Sequence, residues 1–135
     1  MEEMILRCPV LVNSKVTQAL KDNMLREVQT NLGQVEQELQ QIEFQAKRLL
    51  TEQARIDAQG LINLRAQIEQ NKDKLMQMKA KLTEEQKRIN ELEMGAEIPR
   101  GQMEQTVTVK VGDDLNKYMG AEILLEDGKI IAFRN

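Results

Sequence analysis

Residues 25–92 read LREVQTNLGQVEQELQQIEFQAKRLLTEQARIDAQGLINLRAQIEQNKDKLMQMKAKLTEEQKRINEL, and their apolar positions recur at alternating steps of three and four. This heptad spacing is typical of a helix that packs along another helix. One series contains Leu25, Val28, Leu32, Val35, Leu39, Ile42, Ala46, Leu49 and, past Gln53, Ile56. A second series, shifted by one residue from a continuation of the first, contains Leu61, Leu64, Ile68, Asn71, Leu75, Met78, Leu82, Glu85, Ile89 and Leu92.

The shift falls at residues 57–60, Asp-Ala-Gln-Gly, which we interpret as a turn. Gly60 suits a helix exit, and Asp57 is acceptable as an N-cap or turn former. Folding the chain there places residue i opposite residue 117 − i, so that Val28 faces Ile89. The charges of the two facing segments favour the same pairing, because residues 35–52 carry a net charge of −2 and residues 65–82 carry +3. One continuous helix with a skip residue at Gly60 is the alternative. We favour the hairpin, because it also brings the two ends of the chain together.

The segments outside the helices alternate with period two, as strands do. Residues 4–12 predict a strand, and Pro9 predicts that this strand lies at an edge or carries a bulge. The apolar face of this strand contains Cys8, for which a buried structural role is favoured over a reactive thiol. Ser14 or Thr17 is expected to cap the first helix, and Gly95 to end the second.

The C-terminal part predicts three further elements after a connector at residues 96–103. Residues 104–111 alternate as a strand, residues 114–119 form a short helix, and Asp127-Gly128 is a preferred loop for a type I′ hairpin. The predicted fold is therefore α+β. A long antiparallel coiled-coil hairpin, residues 14–94, is expected to project from a small antiparallel β-sheet or barrel formed by both termini, residues 1–13 and 95–135.

Composition argues against catalysis. The chain of 135 residues has a net charge of −3 and no histidine, so it lacks the commonest general base and metal ligand. Asp113-Asp114 resembles an acidic pair, but helix capping explains it better, and Asn71 and Glu85 are interpreted as polar positions that fix helix register. We predict no enzyme activity, no cofactor, and no catalytic, cofactor-binding or metal-ligating residue. The single cysteine, the acidic start and the lack of a long apolar run predict a cytoplasmic protein without a membrane span.

Three non-catalytic functions compete. The leading one is an interaction protein that forms a homo-oligomer through its β module and presents its helical arm to an unknown protein partner. The second is a ribosome- or RNA-associated factor, which rests on the basic residues of the segment Lys72–Lys81, although acidic residues are interspersed and aromatic residues make up only 2% of the chain. The third is a holdase chaperone similar to prefoldin, by analogy of architecture alone. The sequence indicates neither a membrane nor a small-molecule substrate as a partner.

The C-terminal residues carry a family resemblance. A coiled-coil helix ending in EMGAEI at residues 93–98, the strand QTVTVKVGD at residues 105–113, and the hairpin DGKIIAFR at residues 127–134 resemble the YlqD family. The N-terminal strand leading through Val16-Thr17 into a long helix is also similar. The resemblance implies a bacterial, cytoplasmic protein without known activity or catalytic residues. It also implies that its genes often lie beside ribosome-assembly genes in some bacteria.

Overall fold

The computed structural model describes residues 2–135 and contains two long helices and four strands. In chain order these are β1 (Glu3–Lys15), α1 (Gln18–Ala54), α2 (Ala58–Asn90), β2 (Glu97–Lys110), a 3₁₀ turn (Leu115–Lys117), β3 (Ala121–Glu126) and β4 (Lys129–Arg134). The fold class is α+β, and the sheet is built from both ends of the chain.

The chain divides into two compact units. The sheet unit comprises the residues up to Asp22 together with Leu92–Asn135, and the helix unit comprises Asn23–Glu91.

The sheet is mixed and open, with the strand order β2-β1-β3-β4. β1 pairs antiparallel with β2 and parallel with β3, whereas β3 and β4 form an antiparallel hairpin. The expectation of a purely antiparallel sheet is therefore wrong. β3 follows β2 after a turn rather than by a hairpin, so it can add to the other side of β1 in the parallel direction.

From Val10 to Ser14, β1 has β2 on one side and β3 on the other. This part of β1 is therefore interior in the sheet and not at an edge. Pro9 precedes that segment, so its missing N–H lies where β1 is paired with β2 alone. The predicted bulge is present, as a register shift between Val12 and Asn13. The sequence predicts that the connector at residues 96–103 contributes a short extended piece. It is mostly strand, because β2 begins at Glu97 and pairs with the second half of β1.

The β3–β4 hairpin confirms the prediction at Asp127-Gly128. Both residues have positive φ, 50° and 82°, as a type I′ turn requires. Leu125 pairs with Ile130 as predicted, but Leu124 pairs with Ala132, because a bulge at this point leaves Ile131 without a partner residue.

The start of α1 confirms the prediction, whereas the other helix ends differ from it. Thr17 caps α1, since its hydroxyl accepts the backbone N–H of Leu20 at 3.1 Å. α1 ends at Ala54, and Asp57 caps α2 by accepting the N–H of Gly60. Gly60 therefore lies in the first turn of α2 and not at a helix exit. Likewise α2 ends at Asn90, and Gly95 instead forms a turn in which its N–H donates to the Val16 carbonyl at 2.8 Å.

The burial pattern confirms most of the predicted apolar rows and corrects five positions, one of which is Ile56, exposed just after the end of α1. Val28, Val35, Ala46 and Ile89 are buried within the helices. Leu49 is exposed, and its neighbour Leu50 takes the half-buried position. In α2 the exposed positions are Asn71, Met78 and Glu85, and the half-buried ones are Lys72, Lys79 and Gln86. Each half-buried residue therefore lies one position after the predicted one. Lys and Gln can occupy these positions, because their long stems cover apolar surface while their polar ends reach water.

Candidate functional site

The sheet unit contains a groove of about 500 Å³ along one face of the sheet. Val10 lines this groove. Met103 and Ala121 are the cross-strand partners of Val10, so they lie on the same face of the sheet. The remaining apolar lining comprises Val107, Tyr118, Ile123 and Phe133. Such a surface suits apolar side chains.

The rim of the groove is polar and partly tied down. Asn135 donates from its side-chain amide to the carbonyl of Lys117, which joins the end of β4 to the 3₁₀ turn. That turn is held by Asp114, whose carboxylate accepts the N–H of Asn116 at 3.0 Å. Asp113 accepts the N–H of Lys110 at 2.8 Å. Asp114 therefore caps the 3₁₀ turn, as predicted, whereas Asp113 binds the backbone at the end of β2 and caps no helix.

Arg134 links the two edge strands of the sheet. Its guanidinium lies 2.6 Å from a carboxylate oxygen of Glu97 on β2 and 3.8 Å from one of Glu122 on β3. In a flat sheet β2 and β4 lie about 14 Å apart, at ~4.8 Å per strand. The Glu97 and Arg134 side chains therefore connect two strands that are not neighbours in the sheet.

Electrostatics reinforces this link. The hydrogen bond from Arg134, with help from its charge and that of Lys15, lowers the pKa of the Glu97 carboxyl, while partial desolvation opposes the shift. The same hydrogen bond raises the pKa of Arg134. Glu122 also accepts from the side-chain amide of Asn13 on β1, so this cluster spans all four strands. Its polar groups bind one another, which makes it a structural clasp.

The sheet unit also carries a two-stranded extension. β3 begins to pair with β1 only at Val10, so residues 3–9 of β1 pair with residues 104–110 of β2 and with no other strand. We call this part the ribbon. Met4 is 51% exposed and Ile5 is 70% exposed on it, and Val111 just beyond its end is 95% exposed. Within residues 2–135, the β1 edge of the ribbon therefore has no neighbouring strand, and the ribbon exposes apolar side chains to water.

The residues considered in the sequence occupy different environments. Cys8 is buried in the sheet, which agrees with a structural role. Asn71 and Glu85 are exposed and do not lie in a helix–helix seam. Within Lys72–Lys81, Lys79 is half-buried and contacts Glu36 of α1 at 3.7 Å, Lys72 is half-buried, and Lys74 and Lys81 are exposed.

The described residues 2–135 contain no group of three or more His, Cys, Asp or Glu side chains arranged to hold a metal ion. Over the same part of the chain, neither long helix has an apolar stretch sufficient to cross a bilayer.

Sequence reasoning missed the groove, the Arg134 clasp and the bare ribbon edge. The groove and the clasp depend on the parallel β1–β3 pairing, which no local pattern encodes. For the ribbon edge the sequence held one indication. Pro9 has no N–H to donate to a neighbouring strand, which is typical of a strand at an edge.

Comparison with known proteins gives a family and a fold. A search of curated proteins finds no match. A crystal structure of a protein of unknown function from Synechococcus sp. WH 8102 is similar, with a TM-score of 0.78 and 26% identity. The match covers 98% of this chain and 95% of that one. The model of the YlqD protein family matches residues 4–134, nearly the whole chain. This chain therefore belongs to the YlqD family.

Proposed function

We propose that this protein is a non-enzymatic, cytoplasmic interaction protein. In this proposal its sheet unit associates with further copies of the chain, and its two helices form an antiparallel coiled coil that offers a surface to a protein partner.

The exposed apolar side chains of the sheet unit carry the proposal. Besides Met4 and Ile5 on the ribbon, the large residues Leu11, Met103, Ile130 and Phe133 are each more than half exposed. Fully burying a side chain of this size contributes about 1.5–3 kcal/mol. Monomeric soluble proteins seldom leave large contiguous apolar patches in water, and such patches mark interaction surfaces.

Two observations within the helix unit support a coiled coil. The covered positions of α1 and α2 recur mainly at steps of three and four, and Lys79 of α2 reaches Glu36 of α1. The outward surface of the pair exposes Phe44, Ile62 and Met76. Exposed methionine adapts to differently shaped partners, which favours a protein partner for this surface.

The helix unit gives less support to RNA binding. Lys79 is engaged by Glu36, and the remaining exposed lysines of the segment Lys72–Lys81 are accompanied by the exposed Asp73. Contacts to phosphates would weaken steeply as salt rises. Binding to ribosomal RNA fragments at two salt concentrations separates this function from the proposed one.

Sedimentation velocity across a range of micromolar concentrations tests self-association of the full chain. We expect the mean sedimentation coefficient to rise with concentration towards a defined oligomer. A single monomeric species at every concentration would contradict the proposal.

A further inference from the structure

The ribbon has an edge that is free over a defined length. The residues of β1 before Val10 have β2 on one side and no strand on the other. Pro9, which cannot donate a hydrogen bond, closes this edge at the point where β3 begins. The free edge therefore consists of residues 3–8.

A two-stranded ribbon is marginal in water without a third strand or a covering layer. Natural sheets usually protect an edge with proline, inward-pointing charges or a bulge. The segment Glu3–Cys8 has no proline, and the only register shift of β1 against β2 lies further on, between Val12 and Asn13. It places the apolar residues Met4, Ile5 and Leu6 in its centre.

The sequence of this edge is complementary to itself when it is read antiparallel. Residues 3–7 are Glu-Met-Ile-Leu-Arg. With Ile5 opposite Ile5 of a second copy, Met4 lies opposite Leu6, and Glu3 lies opposite Arg7. Opposite charges and apolar pairs directly across an antiparallel ladder are favourable. By symmetry each of these flanking pairs occurs twice.

We infer that two copies of this chain pair through the free edge of β1, antiparallel and with Ile5 on the two-fold axis. The contact is isologous and joins the two ribbons into a four-stranded sheet in the order β2-β1-β1-β2. This inference rests on the proposed self-association and specifies where and how it occurs.

The register is selective. A two-fold axis perpendicular to the sheet pairs residues of the same face, so the nearest alternatives place Met4 or Leu6 on the axis. With Met4 central, Glu3 lies opposite Ile5. With Leu6 central, Arg7 lies opposite Ile5 and Glu3 opposite Pro9. Only the register centred on Ile5 places Glu3 opposite Arg7.

Both charged residues are available for this contact. Arg7 is exposed and takes part in none of the ion pairs found among residues 2–135. Glu3 contacts Lys110 of its own chain at 3.6 Å, and its side chain stays more than half exposed. A carboxylate can accept from two cations, so the pair with Lys110 does not block Arg7 of the second copy.

Charge reversal tests the register. Glu3→Arg and Arg7→Glu each place like charges opposite one another twice, and we expect each single variant to dissociate at roughly tenfold higher concentration than the parent. The double variant Glu3→Arg/Arg7→Glu restores opposite charges between the two copies and is expected to associate more tightly than either single variant, although the arginine at position 3 then faces Lys110 of its own chain. Mixing the two single variants is expected to give a heterodimer, because all its facing charges are then opposite.

Glu104→Arg is the matched control for these variants. It makes the same change of charge at an exposed position of β2, opposite Pro9, away from the free edge. Its association is expected to equal that of the parent.

Cysteine cross-linking tests the axis. Facing residues of an antiparallel ladder have Cα atoms about 4.5 or 5.5 Å apart, within the range that disulfides span. In a Cys8→Ala background, Ile5→Cys is expected to give a covalent dimer on oxidation. Val111→Cys serves as the control, because Val111 is more exposed than Ile5 but lies off the axis.

The outcomes separate this inference from the proposed function. If the parent is monomeric, both fail. If the parent associates, but the charge variants match it and Ile5→Cys cross-links no better than Val111→Cys, the inference is wrong and self-association uses another surface.

Discussion

Arg134 shows how one side chain can connect strands of a small sheet that are not neighbours. Its bond to Glu97 joins β4 to β2, which are not neighbours, and its contact with Glu122 adds β3. The groups are partly exposed, so the pair resembles a surface salt bridge in strength, which is modest. Its contribution is mainly geometric, because it fixes the approach of the two edges.

The pH dependence of this clasp follows from the sign of the shift. The folded chain lowers the pKa of Glu97 below its usual value of 4.5, so the stabilisation is present above about pH 4.5 and is lost as pH falls through the lower, folded pKa. NMR titration of the Glu97 carboxyl is expected to show the lowered pKa in the parent and a return towards 4.5 in Arg134→Gln. In parallel, the urea midpoint of Glu97→Gln is expected to fall less on acidification than that of the parent.

Glu104→Gln removes an exposed carboxylate from the same strand and is the control, with an acid dependence equal to the parent's. Equal acid dependences for the parent and Glu97→Gln would show that the clasp contributes nothing.

At the level of elements, the sequence predicted which segments are helices and strands better than it predicted where they begin and end. The heptad rows, the strand around Cys8 and the Asp127-Gly128 hairpin are local patterns, and the structure contains all three. The errors at Gly60 and Gly95 share a cause: glycine was interpreted as a helix end, whereas Asp57 provides the cap and Gly95 belongs to a turn beside Val16. The parallel β1–β3 pairing was not predictable, because it joins residues about 110 positions apart.

The heptad pattern predicts that Leu49 is buried between the helices, whereas the structure exposes it. Two variants distinguish a buried Leu49 from an exposed one. Val35 is 4% exposed, so Val35→Asp buries an unpaired charge and is expected to cost several kcal/mol of helix-unit stability. Leu49 is 43% exposed, so Leu49→Asp is expected to change stability by no more than about 0.5 kcal/mol. Thermal unfolding followed by circular dichroism at 222 nm measures both. Similar losses for the two variants would restore Leu49 to the seam.

Asp57 controls the start of α2. Because its carboxylate accepts the N–H of Gly60, Asp57→Ala is expected to destabilise the helix unit by about 1 kcal/mol. Asp57→Ser keeps a capping oxygen and is expected to retain most of the stability. Urea unfolding of both variants gives the comparison, and an unchanged midpoint in Asp57→Ala would mean that the cap is dispensable.

At the scale of the whole molecule, association and stability are linked. A second copy that binds only the folded chain stabilises it by mass action, so the ribbon should be best protected where the protein is concentrated. The chain therefore combines a self-complementary strand with a sheet that already holds its other edges together through Arg134.

Hydrogen exchange at two protein concentrations measures this link. Amides of residues 3–8 are expected to exchange more slowly at the higher concentration, because the second copy covers them. Amides in the middle of α2 serve as the internal control and are expected to slow much less than those of residues 3–8, because the second copy does not cover them. In Arg7→Glu the difference at residues 3–8 is expected to disappear.

The position of β1 in the sheet has a consequence for synthesis on the ribosome. β1 is made first, yet its antiparallel neighbour β2 begins about 80 residues after β1 ends, and its parallel neighbour β3 comes later still. At 5–20 residues per second, β1 waits roughly 4 to 16 seconds before its first neighbour emerges. During translation the nascent chain therefore carries a strand of apolar residues that has nothing of its own to pair with. Crowded polysomes bring several such strands close together, so the self-complementarity from which we infer pairing of finished copies also creates a risk of premature pairing.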